Sequence, residues 1–253
     1  MTVWIDRPIW PRHGTVFAHL VSDAAYDELH AVARAAGLDP RGFDGDHYDV
    51  PAHRYAACVV AGARVTDGAD LVRRHNASGL RLRKRKGDKG VARIRGLTFP
   101  SGDVVDADLV LSPRPFDERQ VGMAMCFVQD GAGDFAVVWA PRRRQWGAPG
   151  GWREEGETAA EGAVREIREE CGLEVDPLTL RPVGWERFTP ITVQQRMGDR
   201  QVLQLYAATV AERRPALRPE TLDQPAPQWV DLAGFRGLCG GEFWWPVAER
   251  LFG

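Results

Sequence analysis

Three glutamates, Glu166, Glu169 and Glu170, stand at i, i+3 and i+4 in a segment that reads as a helix, so their carboxylates share one face. Like charges this close repel, and stability alone would not select the arrangement. A hard divalent cation reverses the sign of the interaction, because Mg²⁺ takes oxygen ligands of this kind while keeping some of its waters. Arg165 can bridge to Glu161 or Glu169, one turn away on either side. The plainer alternative is a solvated acidic helix face laced by i,i+4 pairs.

The helix has its own start and stop. Thr158 with Glu161 three residues on makes a capping box, and Gly172 suits the position after the last turn. Ala160, Ala163, Val164 and Ile167 form an apolar stripe, so a helix over 159–171 is expected. Before it, the apolar runs 123–128 and 135–140 flank the turn Asp130–Asp134 and predict a hairpin. After it, 202–210 and 228–231 read as strands. Residues 243–252 read as a terminal helix with Pro246 in its first turn and its aromatics in the core.

Gly151, Glu157, Arg165-Glu166-Ile167, Glu169-Glu170 and Gly172-Leu173 stand at the spacing of the Nudix box. Residues 116–253 thus resemble the Nudix hydrolase family. The resemblance implies an α/β fold in which an α/β/α sandwich with a mixed sheet presents a loop–helix–loop to divalent metals. It also implies hydrolysis of a nucleoside diphosphate linked to another group X. Position by position, Glu166 and Glu170 would hold Mg²⁺ or Mn²⁺, Glu169 would assist directly or through water, and the Gly150 carbonyl would add a ligand. Gly150-Gly151 lets backbone approach such an ion closely. Glu157 and Arg165 would orient the loop and helix. The base would be Glu166, or a residue of a later loop within 213–228, where Glu220 and Asp223 are the candidates.

The chemistry follows from charge. Mg²⁺ neutralises diphosphate oxygens and acidifies a bound water, and a carboxylate then takes that water's proton. The triplet Arg142-Arg143-Arg144, upstream of the box, could grip a phosphate, and Trp146, Trp152 and Phe188 are candidates for base stacking. Short signals that mark the NADH and coenzyme A members of the family are absent. Pro182 and Pro190 miss the proline position of the ADP-ribose members. The X group stays open.

The N-terminal region has different chemistry. Val3-Trp-Ile-Asp6, Trp10-Pro-Arg-His-Gly14, His19-Leu-Val-Ser-Asp23 and Gly45-Asp-His-Tyr-Asp-Val-Pro51 resemble the DUF4031 family, which implies no known activity. Asp6, His13, His19, Asp23, Asp46, His47 and Asp49 fall at loops or element ends, where sites are built. They could form a second metal or phosphate site, or satisfy one another as turn and cap residues. Val3–Ile5 reads as a strand. Ser22 would cap a helix of about 15 residues ending before Gly37, and Pro51 would open another running to Gly62. Val65 would start a strand, and Asp67 would cap a short helix.

The expected organisation is a smaller α/β domain over 1–85, a basic, Pro/Gly-rich connector over 86–115 in which Val104, Val105 and Leu109–Leu111 could form a strand, and the Nudix domain over 116–253. Residues 1–95 carry a net charge of +5 and the remainder −7, for −2 in all. The basic run Arg81–Lys86 lacks interleaved aromatics, so nucleic acid is not the expected partner. No apolar run approaches the roughly 18–20 residues of a membrane span. Four scattered cysteines without CxxC spacing argue against zinc and disulfides. A soluble cytoplasmic enzyme on a small nucleotide-type substrate is expected, with a homodimer left open. Two other readings are a nucleotide-sensing regulator and a bifunctional enzyme with a second activity in 1–85.

Overall fold

The structure is a computed structural model and describes residues 2–192, 198–220 and 225–253. It divides into two compact units between Arg93 and Ile94. No helix among the described residues is long and apolar enough to cross a membrane.

In the N-terminal unit the elements are β1 (Val3–Ile5), β2 (Trp10–Arg12), β3 (Thr15–Ser22), α1 (Tyr26–Ala35), β4 (Tyr48–Pro51), α2 (Tyr55–Val60), β5 (Arg64–Val65) and α3 (Gly68–Ser78). The sheet runs β2-β3-β1-β5, and β4 pairs with β3. Only β1 and β5 run parallel, so the sheet is mixed. Its core gathers Ile5, Leu20, Leu29, Val50 and Cys58, all buried. Asp67 caps α3 as expected, accepting from Asp70 N at 2.9 Å.

The first helix starts later than the sequence suggests. Ser22 is the last residue of β3, paired with Val3, and is not the N-cap. Its hydroxyl accepts from Ala24 and Ala25 N–H in the turn that follows, and Ala25 begins α1 without a side-chain cap. Sheet pairing outcompetes capping there, and the helix shortens to Tyr26–Ala35.

The stretch read as a connector contains two strands, β6 (Lys89–Thr98) and β7 (Val104–Leu111). They are followed by β8 (Val121–Gln129), β9 (Phe135–Ala140), β10 (Gln145–Gly147), β11 (Gly150–Trp152), α4 (Ala159–Cys171), β12 (Arg181–Pro190), β13 (Val202–Thr209), β14 (Gln228–Val230), α5 (Leu232–Cys239) and α6 (Trp245–Phe252). The sheet order is β10-β9-β8-β13-β12-β7-β6, with β11 on β8 and β14 on β9. The β8–β13 pair is parallel, which makes this sheet mixed too.

β8 is apolar almost throughout because both its faces are covered. Successive side chains point to opposite faces. Cys126 lies beside Cys171 of α4, while Phe127 meets Phe235, Trp244 and Phe252 at or next to α5 and α6. Helices therefore cover both sides of the sheet, the α/β/α arrangement expected.

Candidate active site

α4 begins and ends where its signals place it. The Thr158–Glu161 capping box is formed, and Gly172 closes the last turn at φ 68. The buried face is Ala159, Gly162, Ala163, Ile167 and Cys171; Ala160 and Val164 of the expected stripe are only half-buried. Glu118, which the sequence did not single out, braces the helix start by accepting from Ala159 N at 3.0 Å and pairing with Arg153.

β11 brings the glycines under the helix. Gly150 faces Met125 and Gly151 faces Ala124 of β8. A Cβ on Gly151 would lie 2.3 Å from Glu166 Oε1, and one on Gly150 would lie 2.6 Å from the Ala124 carbonyl oxygen. Glu166 thus rests directly on glycine backbone. Glu170 does likewise, accepting from Gly150 N at 3.0 Å.

Arg165 organises the acids. Its Nε donates to Glu157 Oε1 at 2.8 Å, its Nη1 to Glu166 Oε1 at 2.9 Å and Glu169 Oε2 at 3.1 Å, and its Nη2 to the Trp152 carbonyl at 2.8 Å. A planar fork of donors can do this where a lysine could not. Of the two bridges expected, the one to Glu169 forms. Glu161 is engaged instead in the capping box, with its carboxylate accepting from Thr158 N and Oγ1.

The charges are unequal in number, and the acids respond. Partial burial opposes ionisation of Glu157, but Arg165 and the Glu154 N–H outweigh it and hold this carboxyl below its ordinary range. Burial raises Glu166, and the Glu169 and Glu157 charges add to that while Arg165 opposes it. Glu170 is pushed up to about 8 by burial, reinforced by Glu166 and Glu169 and only partly offset by Gly150 N–H and Arg143. Three of the four carboxylates share the Arg165 guanidinium while Glu170 is left to Gly150 N–H and Arg143, and the two acids against the glycines carry the excess charge least easily.

Other expected residues scatter. Arg142 and Arg144 are exposed, and Arg144 adopts φ 54 in the turn. The middle residue of the triplet, Arg143, lies close enough to act on Glu170 and Glu242. The triplet was the sequence signal, but which of its members turns inward depends on the turn. Trp146 is half-buried against Trp139 at 5.7 Å, and Trp152 is half-buried beside the box. Phe188 is fully buried, packed on Phe99 and Phe243, and so is no stacking platform. Glu220 is exposed; its N–H donates to the Glu169 carbonyl at 2.8 Å and its carboxylate pairs with Arg168 at 3.2 Å. Asp223 lies outside the described residues.

Of the seven N-terminal polar residues, Asp23 is spent on Thr2 N and Trp4 Nε1, and His13 is exposed in a turn. Asp6, His19, Asp46, His47 and Asp49 come together.

Residues 118–240 match the family model described as NUDIX domain, and residues 3–78 match that of a protein of unknown function, DUF4031. Among solved structures, the Bacillus subtilis pyrophosphohydrolase BsRppH is 19% identical over 54% of this chain and 75% of its own, with a TM-score of 0.40. A Nudix hydrolase from M. smegmatis, RenU, is 18% identical over 52% and 83%, with a TM-score of 0.39. A C. elegans Ap4A hydrolase is 15% identical over 51% and 95%, with a TM-score of 0.36. With the box intact on its helix and the family match over the same residues, this chain carries a Nudix hydrolase domain over residues 118–240, preceded by a DUF4031 domain over residues 3–78.

Proposed function

We propose that the chain is a Mg²⁺- or Mn²⁺-dependent pyrophosphohydrolase acting on a nucleoside diphosphate linked to X. The observation that carries the reading is the excess of carboxylate over cation around Arg165, with Glu166 and Glu170 both seated on glycine backbone. Nudix hydrolases use divalent metals, and the residues present fit one: a hard oxygen donor set, packed where a Cβ would fill the space. Glu166 and Glu170 would hold the ion, with Glu169 and the Gly150 carbonyl completing the protein's share. The bound ion would supply charge neutralisation at the diphosphate and acidify a water.

The chain's own residues do the rest. Arg165 fixes Glu166 and Glu169 against their mutual repulsion and, through Glu157 and the Trp152 carbonyl, ties helix to loop. Glu166 is the candidate base of the box, and Glu220, hydrogen-bonded to the backbone of Glu169, is the candidate from the later loop among the described residues. Arg143 is better placed than Arg142 or Arg144 to meet a phosphate, because its charge reaches Glu170. Trp146 and Trp152 are the proposed base-stacking surfaces. The four cysteines are free and buried, which fits a reducing cytoplasm as the proposed location. A screen of nucleoside diphosphate compounds with Mg²⁺, reading product masses, tests the reaction and names X. Cleavage elsewhere than at a diphosphate would reject it.

A further inference from the structure

Five polar residues of the N-terminal unit are brought together by its sheet. His19 on β3 and Asp49 on β4 are direct cross-strand partners. His47 immediately precedes β4, and its imidazole comes to the same Asp49 carboxylate. Asp6 follows β1, its N–H bonded to the His19 carbonyl at 3.2 Å. The result is two parallel dyads. Asp6 Oδ2 holds His19 Nδ1 at 3.1 Å, and Asp46 Oδ1 holds His47 Nδ1 at 2.5 Å. Each imidazole is left with Nε2, and both Nε2 atoms face one atom, Asp49 Oδ1, at 3.9 and 3.5 Å. The other Asp49 oxygen is engaged by Arg12 at 2.8 Å.

A carboxylate on one ring nitrogen and an acceptor point on the other is the arrangement of a metal-ligating histidine, with tautomer and ring orientation fixed from behind. The candidate ligand atoms of His19, His47 and Asp49 all lie within 4.8 Å of one another. Structural pairing alone would not need two histidines, each backed by its own aspartate, to converge on a third carboxylate.

A second observation points the same way. His75, only 6% exposed, leaves its Nε2 without a hydrogen bond, with Asp46 Oδ2 3.6 Å away. His75 and the three candidate ligands line one cavity of about 1360 Å³. Its walls are net basic, nine Lys and Arg against five Asp, with Arg12 spent on Asp49 and Lys84 on Asp44 while Arg41, Arg81, Lys86 and Lys89 also line it.

We propose that His19, His47 and Asp49 bind a divalent transition-metal ion, whose remaining positions face the basic cavity and take the phosphate of a phosphorylated ligand. Two imidazole nitrogens and one carboxylate suit zinc, iron or manganese better than magnesium. Asp6 and Asp46 are positioning residues.

Co²⁺ is the probe, titrated into the full chain carrying Glu166→Gln and Glu170→Gln so that the Nudix carboxylates do not compete. The expected result is one equivalent bound with the visible absorption of nitrogen-ligated, four- or five-coordinate cobalt. His19→Gln and Asp49→Asn, both part-exposed, should each weaken that binding by at least about 10-fold while the metal-free protein melts unchanged. Either variant decides the matter if the other fails to fold. Inorganic phosphate should shift the band. Absence of the band, or a band indifferent to both substitutions, overturns the site. A band that ignores phosphate overturns the phosphorylated ligand.

Discussion

In the Nudix unit a single guanidinium, Arg165, reaches Glu157, Glu166 and Glu169, whereas in the N-terminal unit each histidine is held by its own aspartate, His19 by Asp6 and His47 by Asp46. Both clusters gather more carboxylates than a folded domain needs for packing. They differ in what they offer: oxygen alone beside Gly150 and Gly151, or two nitrogens and an oxygen around Asp49. Hard oxygen sets favour Mg²⁺, and mixed nitrogen sets favour transition metals. A buried carboxylate outside both clusters supplies the contrast. Glu186 on β12 is fully buried, neither of its oxygens has a hydrogen-bond partner, and burial pushes it up to about 8. Burial alone therefore makes a protonated acid, and convergence is what makes a site.

The sharpest way to break the comparison is to separate the two regions. A fragment beginning at Ile94 should fold and hydrolyse, because the compact unit starts there. A start near residue 112, which the reach of the family resemblance alone would allow, removes β7. That strand pairs with β12 from Leu111 against Gly184 to Val105 against Pro190 and buries Ala107, Leu109 and Val110. The shorter fragment should be insoluble, as judged by expression and circular dichroism. An inactive but folded fragment from 94 would mean that the first unit completes the site.

Within the Nudix unit, Glu166→Gln and Glu170→Gln should each lower kcat by at least about 10²-fold, the scale of a lost base or metal ligand. For Glu170→Gln the metal-free melting temperature should hold or rise, because one of several crowded like charges is gone. Arg165→Lys tests the fork itself. One ammonium cannot serve three carboxylates and a carbonyl at once, so metal affinity should fall by about 10–100-fold, read by Mn²⁺ titration.

The smallest effect separates Glu186 from both clusters. Its folded pKa lies above its unfolded value, so the folded state holds the extra proton between about 4.5 and 8. Stability is therefore lost as pH rises through that window, by on the order of 3 kcal/mol at neutral pH. Glu186→Gln should remove this loss, and denaturant melts from pH 5 to 8 should show the variant gaining on the parent as pH rises. Equal slopes would mean that Glu186 is charged and partnered.

α4 was legible because its capping box, its glutamate spacing and Gly172 are all local signals. β12 was not: Pro182, Gly184, Glu186 and Arg187 break any alternation, and only the partners β7 and β13 make the segment a strand. β6 was hidden by its charge, since Lys89, Arg93 and Arg95 read as linker. The N-terminal histidines and aspartates stood out by density, yet their convergence on Asp49 is a property of the β3–β4 register, which no local pattern encodes. The arginine triplet 142–144 stood out as a run, but the turn decides which of its members faces the acids.

That α4 holds the hydrolytic centre is tested most directly by following a nucleoside diphosphate compound by mass in the full chain, with Mg²⁺ and then with EDTA, for the parent and for the Glu166→Gln, Glu170→Gln double variant. The parent should release a nucleotide and a phosphorylated X only with the metal, and the folded double variant should release neither. Turnover in EDTA, or turnover by the double variant at the parent's rate, would contradict it.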